Sequence, residues 1–400
     1  MVLPVLFYVW TALAYTVNMP YWDDYDSVLN WINQFITNHN NLKFIFYMLL
    51  RQHNEHRILF DRIIVLSDYY LFHSINFIYL NFIGYAGLLA LFFIIILIGK
   101  NKGLSIYELI PLPFLLLSLA QYELISFAMA SLQQYWEFLF SLSAIIAVTA
   151  PDKPSTNNFL ACFLLAVAAS FTSAGGLIVF PVVLIFLIYT KNTRHSIIWL
   201  ASSSLVFILY FVILKYHPTG ILISSHIYAL EHPLLYLAYI FSFIGSMAGS
   251  TGLIFGILFF LISIIMMLKY HNKNLDILFI TLFILSTSAA AGLSRMGLGI
   301  GQALSSRYTI YSSVYLALLY ILIINQIKQK PARKTFFVIF FIFSAALYIY
   351  WIPEGLTNLN HKYAQLQHSL VYPNQKRAQE IINKSIDLKV FSNKTASKPH

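Results

Sequence analysis

The chain has 400 residues, of which 59% are hydrophobic and 10% charged, far from the roughly 25% charged residues of a soluble domain. Its net charge of +10 is scattered over short loops and a tail and forms no stripe, which argues against nucleic acid as a partner. The single cysteine, Cys162, excludes an internal disulfide and a metal site built on paired thiolates.

Apolar runs recur along the whole chain, mostly about 17 to 24 residues long, the length a helix needs to cross ~30 Å of hydrocarbon. They predict an all-α polytopic membrane protein with about eleven transmembrane helices. The spans fall near 3–19, 76–99, 104–120, 135–150, 159–173, 175–190, 196–214, 249–268, 275–292, 308–327 and 335–352. The first carries Pro4 and has no basic residue ahead of it, so it reads as a retained span and not as a cleaved signal. Residues 233–248 read as an interfacial helix, because a second crossing there would put the basic KYHNKN loop on the wrong side.

Basic residues gather in alternate short loops: Lys100 and Lys102, Lys153, Lys191 and Arg194, Lys269 and Lys273, then Lys328, Lys330, Arg333 and Lys334. The positive-inside rule places these loops in the cytoplasm. Loop 20–75, the segments 121–134, 215–248 and 293–307, and the tail from 353 then share the extracytoplasmic face. The domain reading is a transmembrane domain over 1–352, which includes the long amphipathic loop 20–75, and a polar, loosely packed extracytoplasmic tail over 353–400.

The loop opens with PYWDDYDSVLNWINQF, which sets Asp23, Asp24 and Asp26 among Tyr21, Trp22 and Tyr25. Carboxylates at a membrane edge are costly unless used or solvated. Asp26 or Ser27 suits the cap of the helix that follows, and Trp22 suits an interface anchor. Asp23 and Asp24 are less natural caps. Adjacent carboxylates can act as a general base with a charge or metal partner, since like charges separate their pKa values.

Further on, LLRQHNEHRILFDRIIVLSDYY reads as an amphipathic helix, with Leu59, Ile63 and Leu66 on one face and the pairs Arg51–Glu55 and Arg57–Asp61 four apart. His53 and His56 lack the spacing of a zincin motif, so a histidine-built metal site is not expected. The chemical reading is that His56 and Arg57 face a phosphate. A divalent cation is compatible with the carboxylates but not required by them.

The other outward segments add polar groups. Gln121, Glu123, Gln133, Gln134 and Glu137 sit at the ends of two spans, where they either line a cavity or make an interfacial turn. SFTSAGG, from Ser170, reads as close helix packing without chemistry. In GLSRMGLGIGQALSSRY, Arg295 and Arg307 lie where positive-inside does not place basic residues; here Ser305 or Ser306 suits a cap and Arg307, beside Tyr308, an anion contact. The alternative is two arginines snorkelling to phospholipid headgroups.

The order of these features resembles the GT-C superfamily of membrane glycosyltransferases. WDDYD (Trp22 to Asp26) stands where that superfamily carries an acidic motif after its first span, and NEHR (Asn54 to Arg57), QYE, ASFTSAGG, SRMGLG and SSRY follow in similar order on one face. The resemblance implies a bacterial inner-membrane enzyme that moves a sugar from a polyprenyl-phosphate donor to a glycan or lipid acceptor. Asp23 or Asp24 would be the general base, His56, Arg57, Arg295, Arg307 and Tyr308 would hold the donor phosphate, and Trp22, Asp26, Glu55, Gln121 and Glu123 would line the cavity. The chain lacks a recognisable large soluble C-terminal domain, which makes a peptide acceptor doubtful. The rival functions are a flippase or transporter of a lipid-linked glycan, disfavoured by the lack of repeated halves, and an envelope glycan polymerase or ligase.

Overall fold

The apolar runs become helices because, without water, only intrachain hydrogen bonds can satisfy the backbone. Their starts carry polar caps: Asn76 accepts from the N–H groups of Ile78 and Tyr79, and Ser155 forms a capping box with Asn158. A computed structural model describes residues 2–38, 41–151, 154–270 and 273–392. Seventeen α-helices are described there, and no strand: α1 (Val2–Tyr15), α2 (Trp31–Asn38), α3 (Leu42–Leu50), α4 (Leu59–Phe72), α5 (Phe77–Asn101), α6 (Pro111–Leu116), α7 (Ala128–Thr149), α8 (Thr156–Ser170), α9 (Val179–Tyr189), α10 (Thr193–Phe207), α11 (Gly220–Glu231), α12 (Pro233–Gly245), α13 (Gly252–Tyr270), α14 (Leu275–Arg295), α15 (Thr309–Gln326), α16 (Lys330–His368) and α17 (Gln375–Asp387).

Among the described residues six stretches are long and apolar enough to cross a membrane: Phe77–Asn101, Thr193–Ile213, Pro233–Tyr270, Leu275–Leu298, Ser306–Gln326 and Lys330–His368. The chain is a multi-pass membrane protein. Several of the other expected spans are short or broken. The stretch 104–120 contains only the six-residue α6, which starts at Pro111, and then a short 3₁₀ turn with Gln121 outside helical geometry. Helix α1 stops at Tyr15, and α8 has 15 residues. Residues 233–268 form two antiparallel helices around a turn at Gly249. A Cβ on Gly256 would lie 1.8 Å from the Phe241 carbonyl oxygen, so only glycine permits this approach.

The chain's loops collect at two opposite ends. At one, Lys102 pairs with Asp276 at 2.7 Å and Arg333 pairs with Glu108, which joins the basic loops; Lys153 lies outside the described residues. At the other, the Phe60 N–H donates to the Phe171 carbonyl, Gly297 to Ser225 and Asn76 to Asp68. This second end, called the loop end below, joins loop 20–75 to the segments around residues 174, 219 and 295 and to the tail, and residue 123 to residue 306.

A hydrophobic core of its own holds the loop end together. Tyr25, Leu29, Trp31, Ile32 and Phe35 pack with Met48 and with Ala378, Ile381, Ile382, Val390 and Phe391. The tail is therefore not loose: α16 continues through Pro353 to His368, and α17 packs against the first loop, with Asn33 donating to Ser385 at 2.8 Å. Residues 393–400 lie outside the described residues.

Helix α4 departs further from expectation. Residues 51–58 are not helical, because His53 and His56 exchange backbone hydrogen bonds (2.8 and 2.9 Å) in a tight turn with Asn54 at φ 47°. The expected pairs four apart do not form. The helix buries Asp61, Arg62, Val65 and Asp68 and exposes Ile63, Tyr70, Leu71 and Phe72. Its polar face looks into the protein and its apolar face outward, the orientation suited to a lipid boundary.

Candidate functional site

The His53–His56 turn separates two cavities. On one side lies a cavity of about 310 Å³ whose wall includes Glu55, His56, Ser173, Gly175, Arg295 and Tyr308. These residues come from three distant segments, 55–56, 173–175 and 295–308. Glu55 pairs with Arg295 at 2.8 Å and accepts a hydrogen bond from Thr219. The backbone N–H of Ala174 donates to His56 Nδ1 at 3.2 Å. That bond fixes the tautomer: Nδ1 accepts, so Nε2 carries the proton and is the donor. Burial pushes the His56 pKa down to about 4, with the Glu55 carboxylate acting in the opposite direction. Deeper in, the wall is apolar, with Leu177, Ile178, Phe243 and Ala290. SFTSAGG thus does more than pack: Gly176 seats against Ala169, while Ser173 to Gly175 line the cavity and orient His56.

The adjacent aspartates part company. Asp24 is buried, and its carboxylate accepts from the N–H groups of Tyr21 (3.1 Å), Ala128 (3.3 Å) and Met129 (2.8 Å). Ala128 and Met129 open α7, so Asp24 caps that helix from a distant loop and satisfies donors that have no intrahelical partner. Burial pushes its pKa up to about 7, against the pull of those donors and of Lys362. Asp23 is half-buried, and its carboxylate has no hydrogen-bond or ion-pair partner among the described residues. It lies within electrostatic reach of His53 and Arg307. Asp26 and Ser27 do not cap the following helix. Asp26 instead accepts from Tyr372 and Arg377, which fastens the tail to the loop, and Ser27 donates to the Asp23 carbonyl. Trp22 is exposed in a left-handed conformation, and its N–H donates to the Val371 carbonyl.

Other expected contacts change role. Arg57 is 1% exposed and does not offer a guanidinium to a phosphate: its nitrogens donate to the carbonyls of Tyr210 (3.0 and 3.2 Å), Leu214 (2.8 Å) and Leu50 (2.7 Å). These include the carbonyls that the π-helical turn Ile208–Ile213 leaves free at the end of α10. Arg307 pairs loosely with Glu123 at 3.4 Å, near the first cavity but not on its wall. Ser305 and Ser306 cap nothing; Ser306 Oγ accepts from the Glu123 N–H. Gln121 is buried and donates to the Leu116 carbonyl, so it stabilises the broken helix and is on the wall of neither the first nor the second cavity.

Lys362 and Lys215 escaped the sequence reading, and Asp61 and Arg51 entered it only as members of helix-surface ion pairs. Lys362 reaches back from α16 to the carbonyls of Glu123 (3.0 Å) and Ile125 (2.7 Å) and lies 4.1 Å from the centre of the Tyr21 ring. Asp61 is fully buried with neither carboxylate oxygen partnered among the described residues, and burial raises its pKa far above the usual range. Arg51 and Lys215 face the second cavity. Among the described residues no three His, Cys, Asp or Glu side chains cluster as a metal site. No family model, curated protein or solved structure matches the chain.

Proposed function

We propose that this chain is a membrane glycosyltransferase that moves a sugar from a polyprenyl-phosphate donor to a glycan or lipid acceptor. In this reading the eleven apolar segments each pass between the two ends, and the loop end faces away from the cytoplasm, as in the bacterial inner membrane. One observation carries the proposal: Glu55–His56, Ser173–Gly175, Arg295 and Tyr308, which lie far apart in sequence, line one cavity at that end. The unpartnered Asp23 carboxylate is in the field of Arg307, the residue before the cavity's Tyr308; in this reading it reaches the acceptor at the mouth of that cavity.

The chemistry follows from these parts. A sugar phosphate carries its own anionic leaving group, so the protein must supply a base for the acceptor and donors for the departing phosphate. Asp23 takes the proton of the acceptor hydroxyl as its oxygen attacks the anomeric carbon. The bond from that carbon to the phosphate oxygen breaks, and the configuration inverts. His56 Nε2–H, Arg295 and the Tyr308 hydroxyl face the leaving phosphate, while the apolar depth of the cavity takes the first part of the lipid. Glu55 holds Arg295 in place. Arg57 positions the turn and touches no substrate.

The test is Asp23→Asn in membranes, with envelope glycans read by mass spectrometry in cells with the wild-type protein, with the variant, and with none. Removal of a general base is expected to slow transfer by about 100-fold or more, with unchanged insertion and folding. Wild-type glycans from the variant would remove Asp23 from the mechanism. Identical glycans from cells with and without the protein would remove the transferase reading.

A further inference from the structure

The second cavity, of about 940 Å³, lies across the turn from the first. Its wall comes from the loop (Gln34, Phe46, Tyr47, Arg51, His53), the end of α10 and the segment after it (Ile213, Lys215), and the tail (Arg377). Four side-chain cations line it against one carboxylate, Asp26. Two of the four are already engaged, Arg57 by carbonyls and Arg377 by Asp26. Arg51 and Lys215 have no carboxylate within ion-pair distance among the described residues. Arg51 is steadied by Gln34 Oε1 at 2.8 Å, which leaves donors of its fork uncommitted. His53 Nε2 is buried without a hydrogen-bond partner. Unneutralised cations around a concave wall raise the local concentration of anions.

The rim says which anion. Ile213 is the last residue of the apolar stretch Thr193–Ile213, so the cavity opens at the level where a membrane-crossing helix ends. Phe46, Tyr47 and Ile213 are each at least 60% exposed there. Helix α3, with nine residues, is too short to cross a bilayer and lays this apolar edge along the boundary. A small soluble anion needs cations but no apolar rim; a membrane lipid with a phosphate headgroup needs both.

We propose that this cavity is a binding site for an anionic phospholipid, whose phosphate is held by Arg51 and Lys215 and whose chains lie over Phe46, Tyr47 and Ile213. The site stands independently of the sugar-transfer reading. If that reading also holds, the bound lipid sits beside the turn that carries Glu55 and His56.

The probe is palmitoyl-oleoyl phosphatidylglycerol. Full-length protein is exchanged into nanodiscs of phosphatidylcholine with a minor share of this lipid, and the lipid retained on release is read by native mass spectrometry. The wild type is expected to keep the anionic lipid preferentially. The double variant Arg51→Gln, Lys215→Gln should lose that preference by about tenfold or more, since each basic group near a membrane surface contributes to anionic-lipid attraction. Lys328→Gln, Lys330→Gln, at the opposite end, should keep it. Unfolding in pure phosphatidylcholine checks the fold, and if the double variant fails there, Lys215→Gln alone is read, because Lys215 is exposed. Equal retention by wild type and variant, or loss in the opposite-end variant instead, overturns the site. Thermal protection by inorganic phosphate with no preference for the lipid overturns the lipid assignment.

Discussion

Two charged stretches of the first loop, residues 22–26 and 51–57, each contain one charge that the backbone consumes and one that it leaves open. In the first, Asp24 caps α7 and Asp23 has no partner. In the second, Arg57 takes up carbonyls at the end of α10 and Arg51 faces a cavity with no counter-ion. The engaged member fixes the position of the open one. Sequence adjacency gives both members the same apparent chemistry, yet the free backbone groups of a nearby helix end decide which of them remains available.

The comparison breaks most visibly at Arg57. Replacement by Gln removes most of its bonds to the carbonyls of Tyr210, Leu214 and Leu50 and leaves those acceptors buried. The expected loss is about 3–5 kcal/mol, since hydrogen bonds to charged groups and unsatisfied buried partners each weigh heavily. Unfolding midpoints in detergent measure it. A variant as stable as wild type but unable to bind donor would return Arg57 to the phosphate role and undo the division drawn here.

His56 sharpens the same contrast through pH. Its folded pKa of about 4 lies below the unfolded value of about 6.5, so the unfolded chain binds more protons between these values. Stability from the neutral imidazole is therefore complete above pH 6.5 and declines as pH falls toward 4. His56→Gln, which retains an acceptor for the Ala174 N–H, should flatten this part of the stability–pH curve. An unchanged slope would mean that another group carries it.

How much of this was legible in the sequence depended on what each residue answered to. The long apolar helices answered to the bilayer and could be read from composition and length. Helix α4 could not, because periodicity gives a face without saying which solvent it meets; with Asp61, Arg62 and Asp68 inward, the usual assignment is reversed. The tail's overall polarity hid a readable signal: Ala378, Ile381, Ile382 and Ser385 repeat at helical spacing and are the residues that bury. At the cavity, Arg295 had stood out because a basic residue is out of place on that face and His56 because of its phosphate chemistry, whereas Glu55 and Tyr308 came in as site residues only with the resemblance; the structure brings the four to one wall. Lys362 gave no such signal, since its partners are carbonyls from a broken helix more than two hundred residues away, and such partners are set by tertiary structure alone.

The smallest expected effect concerns Asp24, and it tests the split between the two aspartates directly. Asp24→Ala takes a shared acceptor from three N–H groups, two of which open α7. Loss of a helix cap costs about 1–2 kcal/mol, and transfer by the protein that still folds should remain near wild type per folded molecule. Asp24→Asn keeps one acceptor oxygen and should fall between. Asp23→Asn should show the reverse pattern, with stability unchanged and transfer lost. If Asp24→Asn folded normally and abolished transfer while Asp23→Asn remained active, the base would be the buried carboxylate. The capping bonds would then serve to hold a catalytic group at the start of α7, and the open carboxylate at position 23 would be a bystander.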